Sequence, residues 1–128
     1  MAWNETKLTL TGRICNDISL RQTQDGTTMA SFMVATTERK FDKELGTWVA
    51  GNSLYVPVRC YRKLAENVGA SLGKGDPVVV TGRVHTHKYD KEGQTHWEIQ
   101  MDASGIGPDL SFCRAATQRT LPLEAVAA

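Results

Sequence analysis

Four side chains recur at every second position in one short stretch of this 128-residue chain: Arg83, His85, His87 and Tyr89, in G-R-V-H-T-H-K-Y. A second stretch, L-Y-V-P-V-R-C-Y, sets Tyr55, Arg59 and Tyr61 at one parity. Between them in type, though not in spacing, are Arg39, Lys40, Phe41, Lys43 and Trp48, while Lys63 and Lys74 flank a short apolar segment. Lys7 and Arg13 stand on the polar side of the alternating run K-L-T-L-T-G-R-I-C. Cations and rings at a period of two share one face of a strand. The chemistry such a face offers is recognition of a single nucleic-acid strand. Every unpaired base has a π-face, and an aromatic side chain stacks on it for about 1–3 kcal/mol whatever the base. Lys and Arg neutralise phosphates and release counterions, so affinity falls steeply with salt. A duplex hides its base faces and forfeits the stacking.

Other chemistries fit less well. His85 and His87 share a strand face, with His96 downstream, but ligand number and spacing for zinc are incomplete. Beside phosphate the imidazoles serve as hydrogen-bonding or partly cationic groups. No nucleophile motif, P-loop or G-x-G-x-x-G is present, so neither an enzyme nor a cofactor is called for. Each tyrosine taken singly also fits a covering or interface role. A lone Lys or Arg on an outer strand face is usually just solvated. The collective pattern carries the weight. Trp97 alternates with Ile99 and Met101 and reads as core or interface.

Period-two alternation must position these residues. It predicts strands over Lys7 to Cys15, Met29 to Thr37, Leu54 to Tyr61, the G-D-P-V-V-V-T-G-R-V-H-T-H-K-Y-D segment, and His96 to Ala103. Leu8, Leu10, Gly12 and Ile14 face inward, as do Ala30, Phe32 and Val34; Leu54, Val56, Val58 and Cys60; and Val78, Val80, Gly82 and Val84. Pro57 lacks an N–H, so its strand has an open edge or a bulge there. Asp25-Gly26 and D-K-E-G (Asp90 to Gly93) mark turns, and the stretch from Arg39 to Asn52 reads as a long hairpin arm or loop. One segment changes period: Leu64, Ala65, Val68 and Leu72 line a helical face, with Gly73 as its cap. Three strands, one helix and two strands are the order of the OB-fold, a five-stranded all-β barrel. The fold expected is therefore an OB barrel with one short helix between the third and fourth strands and extended hairpin arms.

The composition is consistent with one domain. Net charge is +1, so any polyanion site comes from local placement of 15 Lys and Arg against 14 acids. The apolar runs are far shorter than the roughly 20 residues of a membrane helix. The N-terminus has no signal-peptide pattern, which makes the cytoplasm the expected location. Cys15, Cys60 and Cys113 are widely spaced and odd in number; reduced thiols are expected, and a disulfide between subunits stays open.

The stretches N-E-T-K-L-T-L-T-G-R-I (Asn4 to Ile14), Leu20-Arg21, F-M-V-A-T-T (Phe32 to Thr37), K-L-A-E-N-V (Lys63 to Val68) and K-G-D-P-V-V-V-T-G-R-V (Lys74 to Val84) occur in that order. With them the chain resembles the bacterial-type single-stranded DNA-binding proteins over about residues 4–113. The resemblance implies a homotetramer of OB-folds that wraps single-stranded DNA without base specificity. It implies stacking at positions similar to Tyr55, Tyr61 and Tyr89. A further family aromatic lies in the arm where this chain has Lys40 and then Phe41. Lys63, Lys74 and Lys88 are similar to the family's phosphate-contacting lysines. Family members usually end in an acidic tail with a hydrophobic tip that recruits other proteins. Here two arginines and the single acid Glu124 follow Cys113, so recruitment through such a tip is not supported.

The expectations are these. Residues 1–113 form an OB-fold domain for single-stranded DNA binding and oligomerisation, and 114–128 a short flexible tail. The function is sequence-independent binding and protection of single-stranded DNA in replication, recombination or repair. Stacking falls to Tyr55, Tyr61, Tyr89, Phe41 and Trp48. Phosphate contacts fall to Lys7, Arg13, Lys40, Arg59, Lys63, Lys74, Arg83 and Lys88. An OB-type protein-interaction or replication-restart accessory module is the alternative, favoured by the near-neutral charge and the open strand edge.

Overall fold

In the computed structural model, which describes residues 3–120, the alternating runs become long strands and the 3.6-period segment becomes the one helix. The rest of the expected tail, 121–128, lies outside the described residues. The order is β1 (Thr6–Ile14), β2 (Ser19–Gln22), β3 (Thr28–Asp42), β4 (Thr47–Tyr61), α1 (Arg62–Ser71), β5 (Pro77–Lys91) and β6 (Gln94–Pro108). Five strands join in a ring. β1 pairs with β5, β5 with β6, and β4 with β3, all antiparallel. The ring closes through a short parallel contact of β4 with β6 and a short antiparallel contact of β1 with β3. With the helix between its third and fourth long strands, this is the expected OB-fold arrangement.

The short β2 was not legible. It is four exposed residues paired to β3 outside the ring, with no buried side chain to set a pattern. Its Leu20 leans on α1 at Gly69, where an added Cβ would collide with the leucine.

The inward rows fill the ring. Ile14, Ala30, Phe32, Val34, Val56, Val58, Cys60, Val78, Val80 and Met101 form one buried cluster, and Ala65 and Val68 of α1 plug it. Burying a side chain of Val or Leu size contributes about 1.5–3 kcal/mol, so this β-branched core supplies most of the driving force. Burial also pushes the Cys60 thiol up to about 11. All three cysteines are free. Leu8 and Leu54 keep the inward parity but are exposed, because each lies toward the end of its inward row. Trp97 is not core. Its row on β6 is inward only as far as Met101; beyond that the strand has left the ring, and Ile99 and Trp97 are open to solvent.

Pro57 is tolerated for a local reason. Its cross-strand partner Met33 turns its own N–H to Asn16 Oδ1 (2.8 Å) and its carbonyl to the Cys15 N–H (2.9 Å). Nothing on β3 therefore needs a donor from residue 57. On the other side, pairing with β6 starts only at Val58. The expected open edge is present, and the ladder runs through Pro57 without a bulge.

Bulges lie elsewhere, near where the arms depart. One register shift falls between Thr37 and Arg39, where Glu38 accepts the Asn52 N–H (3.3 Å). The other falls between Thr81 and Gly82, opposite Ser104. Such insertions bend and twist a strand pair. Gly82 is required there, since a Cβ would strike the Asp102 carbonyl. Past the bulges, β3–β4 and β5–β6 continue as two-stranded arms. The first is thus a hairpin arm rather than a loop. The second ends in Glu92-Gly93, both at positive φ (54° and 77°), the two-residue turn whose twist suits a hairpin.

The helix ends differently from expectation. Leu72 caps it, giving its N–H to the Val68 carbonyl, and Gly73 does not take a left-handed φ. The Gly73 N–H instead goes to Asp76 Oδ2 (2.8 Å), and Gly75, at φ 95°, turns the chain into β5.

Candidate nucleic-acid interface

The outer face of the ring gathers charge into a belt. Lys7 on β1 lies opposite Arg83 on β5, Arg83 opposite Asp102 on β6, and Asp102 beside Arg59 on β4. Three cations and one carboxylate thus cross four neighbouring strands. Strands stand about 4.8 Å apart, so the belt is roughly 15 Å wide, the reach of two or three phosphates. Asp102 is the knot in it. Its Oδ2 takes Arg83 Nη2 at 2.5 Å and lies 3.3 Å from His85 Nε2. Its Oδ1 is buried without a hydrogen-bond partner among the described residues. Arg83 is therefore held and partly neutralised, which sequence parity could not reveal. The signal existed, because Asp102 sits in the outward row of its strand; its register with Arg83 did not.

Aromatic rings flank the belt. Tyr55 and Tyr61 lie on either side of Arg59 along β4, on the outer face. Tyr55 is 61% exposed and projects over the small Ala35 opposite it. Tyr61 is less open and stands at the start of α1, next to Lys63. Lys63 itself reaches Glu66 at 3.8 Å, an exposed pair worth little.

Each arm carries its own rings. Phe41 and Trp48 are cross-strand partners near the end of the β3–β4 arm and meet edge to face at 5.6 Å. Arg39 shares their face two residues back; Lys40, paired with Val49, is on the other face. On the β5–β6 arm, Tyr89 has two ring neighbours. His87 stacks on it at 6.1 Å and His96 at 5.3 Å, both within about 21° of parallel. This ladder of three rings was missed, because His96 reaches Tyr89 only through the hairpin register. His87 and His96 are thereby engaged with Tyr89, and His85 with Asp102. Lys88 lies on the opposite face of the arm from Tyr89.

Two expected phosphate ligands lie off the belt. Arg13 is six residues from Lys7 along β1, about 20 Å away at a strand's rise. Its Nη1 donates to the Gly75 carbonyl (3.0 Å), and its guanidinium lies over Phe112 at 5.8 Å. Lys74 is exposed in that same loop. The structure therefore assembles Lys7, Arg59, Arg83, Tyr55 and Tyr61 on one surface and places Tyr89 and the Phe41–Trp48 pair on arms leaving it; Arg13 lies off the belt but in one cross-strand row with Ala35 and Tyr55, and Lys74 lies in the loop that Arg13 binds.

The sequence pattern of the single-strand binding protein family matches residues 5–109. The chain belongs to that family. It is 39% identical over 121 residues to the single-stranded DNA-binding protein of Corynebacterium glutamicum, an alignment that takes in 94% of this chain and 54% of that protein. The chain thus spans about half the length of that relative. Among solved family structures, the small single-stranded DNA-binding protein of Streptomyces coelicolor superimposes with a TM-score of 0.76 at 34% identity, over 84% of this chain and 97% of that one. The second single-stranded DNA-binding protein of Mycobacterium smegmatis gives a TM-score of 0.72 at 36% identity, over 90% and 99%. Among the described residues, no helix is long and apolar enough to cross a membrane.

Proposed function

We propose that this chain binds and protects single-stranded DNA without regard to sequence, as a non-catalytic homotetramer in the cytoplasm, serving replication, recombination or repair. The observation that carries the reading is the Lys7–Arg83–Asp102–Arg59 belt flanked by open rings on β4 and on both arms. Phosphates follow the cations. Bases stack on Tyr55, Tyr61, Tyr89, Phe41 and Trp48. Stacking on a π-face and neutralising a phosphate are indifferent to which base is present. Lys63 supplies charge beside Tyr61, and Lys40 and Lys88 supply it from the reverse faces of the arms, while Arg13 and Lys74 serve a strand that continues round the ring. Residues 1–113 carry binding and assembly, and 114–128 form the tail.

Titration of oligo-dT against the protein, followed by intrinsic fluorescence at rising salt, tests this. Quenching with an affinity that falls steeply with salt is expected. Absence of quenching and of salt-sensitive binding would refute the reading.

A further inference from the structure

The β5–β6 arm has two faces, and aromatic rings stand on both. The Tyr89 face carries His85, His87 and Tyr89 on β5, and His96, Glu98 and Gln100 on β6. The other continues the inward row outside the ring: Thr86 opposite Ile99, Lys88 opposite Trp97, Asp90 opposite Thr95. Trp97 there is 64% exposed, against 37% for Tyr89. Lys88 Nζ lies 5.4 Å from the centre of its ring. Lys88 is in no ion pair with a described residue. Asp90, the carboxylate of this face, is engaged by the Thr95 hydroxyl at 3.0 Å.

We infer that Trp97 and Lys88 form a second nucleotide-binding site, on the back of the arm, for an unpaired base and its phosphate. The inference rests on the single-strand reading above and extends it to a strand that passes round both sides of the arm. Tyr89 already stacks with two imidazoles. Trp97 has the larger ring system, is more exposed, and has a cation over it. A base stacks on the open part of the indole, and the adjoining phosphate meets the unpaired ammonium of Lys88. An alternative occupant is a second copy of this chain, seated on Trp97 and Ile99. The face argues against it. Lys and Asp are depleted from the buried centre of subunit interfaces, and here both flank the indole, with threonines beside them.

The test uses the full chain with Trp3→Phe and Trp48→Phe, so that Trp97 is the lone tryptophan. Its emission should be accessible to acrylamide in the free protein and quenched by oligo-dT. In that background Trp97→Ala should weaken binding about five- to 150-fold, the range of one stacked base. Trp97→Phe should recover part of the loss. Lys88→Gln should reduce the slope of log affinity against log salt by about 0.7, the value of one phosphate on a single strand. If oligo-dT binds the unsubstituted chain and Tyr55→Ala weakens it, while Trp97 emission and the Trp97→Ala affinity do not move, the back-face site is wrong and the single-strand reading stands. If the unsubstituted chain does not bind oligo-dT, both fall. If Trp97→Ala lowers the mass of the assembly in solution and Trp97 is shielded before DNA is added, the face is a subunit contact and the inference is overturned.

Discussion

Asp102→Asn should make this protein bind single-stranded DNA more tightly. Asp102 is the one carboxylate in the charge belt, and its Oδ2 holds Arg83 at 2.5 Å and His85 at 3.3 Å. Neutralising it releases one guanidinium, flanked by Lys7 across β1 and by Arg59 across β6. One further phosphate neutralised on a single strand steepens the salt slope by about 0.7. At about 0.15 M salt that slope corresponds to roughly 0.6 log units, or about fourfold in affinity. In free energy this is about 0.8 kcal/mol. Losing the ion pair itself should cost about 0–1 kcal/mol, because its arginine is half exposed; the carboxylate side is more buried, so melting of the variant is part of the test. The assay is oligo-dT binding by the variant and its parent over a series of salt concentrations, with thermal melting as the control. Equal slopes and equal affinities in a variant that melts normally would show that Arg83 is off the DNA path, and the belt would lose its central member.

Among the rings, Tyr55→Ala should weaken oligo-dT binding by about 1–3 kcal/mol. Tyr89→Ala should have the smaller effect of the two, since Tyr89 is less exposed and already stacks with two imidazoles; the reverse ranking in a binding titration would contradict the geometry. Gly82→Ala puts a methyl group against the Asp102 carbonyl and should lower stability by about 1–3 kcal/mol in denaturant unfolding, whereas Gly107→Ala, with open space at its Cβ, should be close to neutral. Cys60 should resist thiol reagents in the native protein at pH 8 while exposed Cys15 reacts. With its thiol pushed from 9.0 to about 11, Cys60 stays protonated when the unfolded chain ionises, so its contribution to stability is intact below about pH 9 and declines as pH rises toward 11. Unfolding midpoints that rise across that window would reverse the sign.

The ring was legible because its core is written in β-branched residues at period two. Val78, Val80, Val56 and Val58 could face only inward, and a helix between the third and fourth long strands leaves few topologies open. What escaped was whatever depends on partners across strands. Parity put Tyr89 and His96 on faces of separate strands, and only the Glu92-Gly93 turn fixes that they touch. Parity likewise put Arg83 outward, but not against Asp102. Trp97 keeps the inward parity yet stands outside the ring, because the end of the ring along β6 is set by how far β1 and β4 extend, not by β6 itself. The four residues of β2 left no trace, having nothing to bury. Gly73 looked like the helix cap by type, yet the side chain of Asp76 took its N–H and the left-handed φ went to Gly75.

The central claim is that rings grip bases while cations grip phosphates. Affinity for oligo-dT against an abasic phosphodiester strand of equal length, each measured over a range of salt, separates the two most directly. The account predicts similar salt slopes and a much lower affinity for the abasic strand, by about 1–3 kcal/mol for each base that had been stacked. Equal affinities would mean that the exposed rings do not touch the bases, and would contradict it.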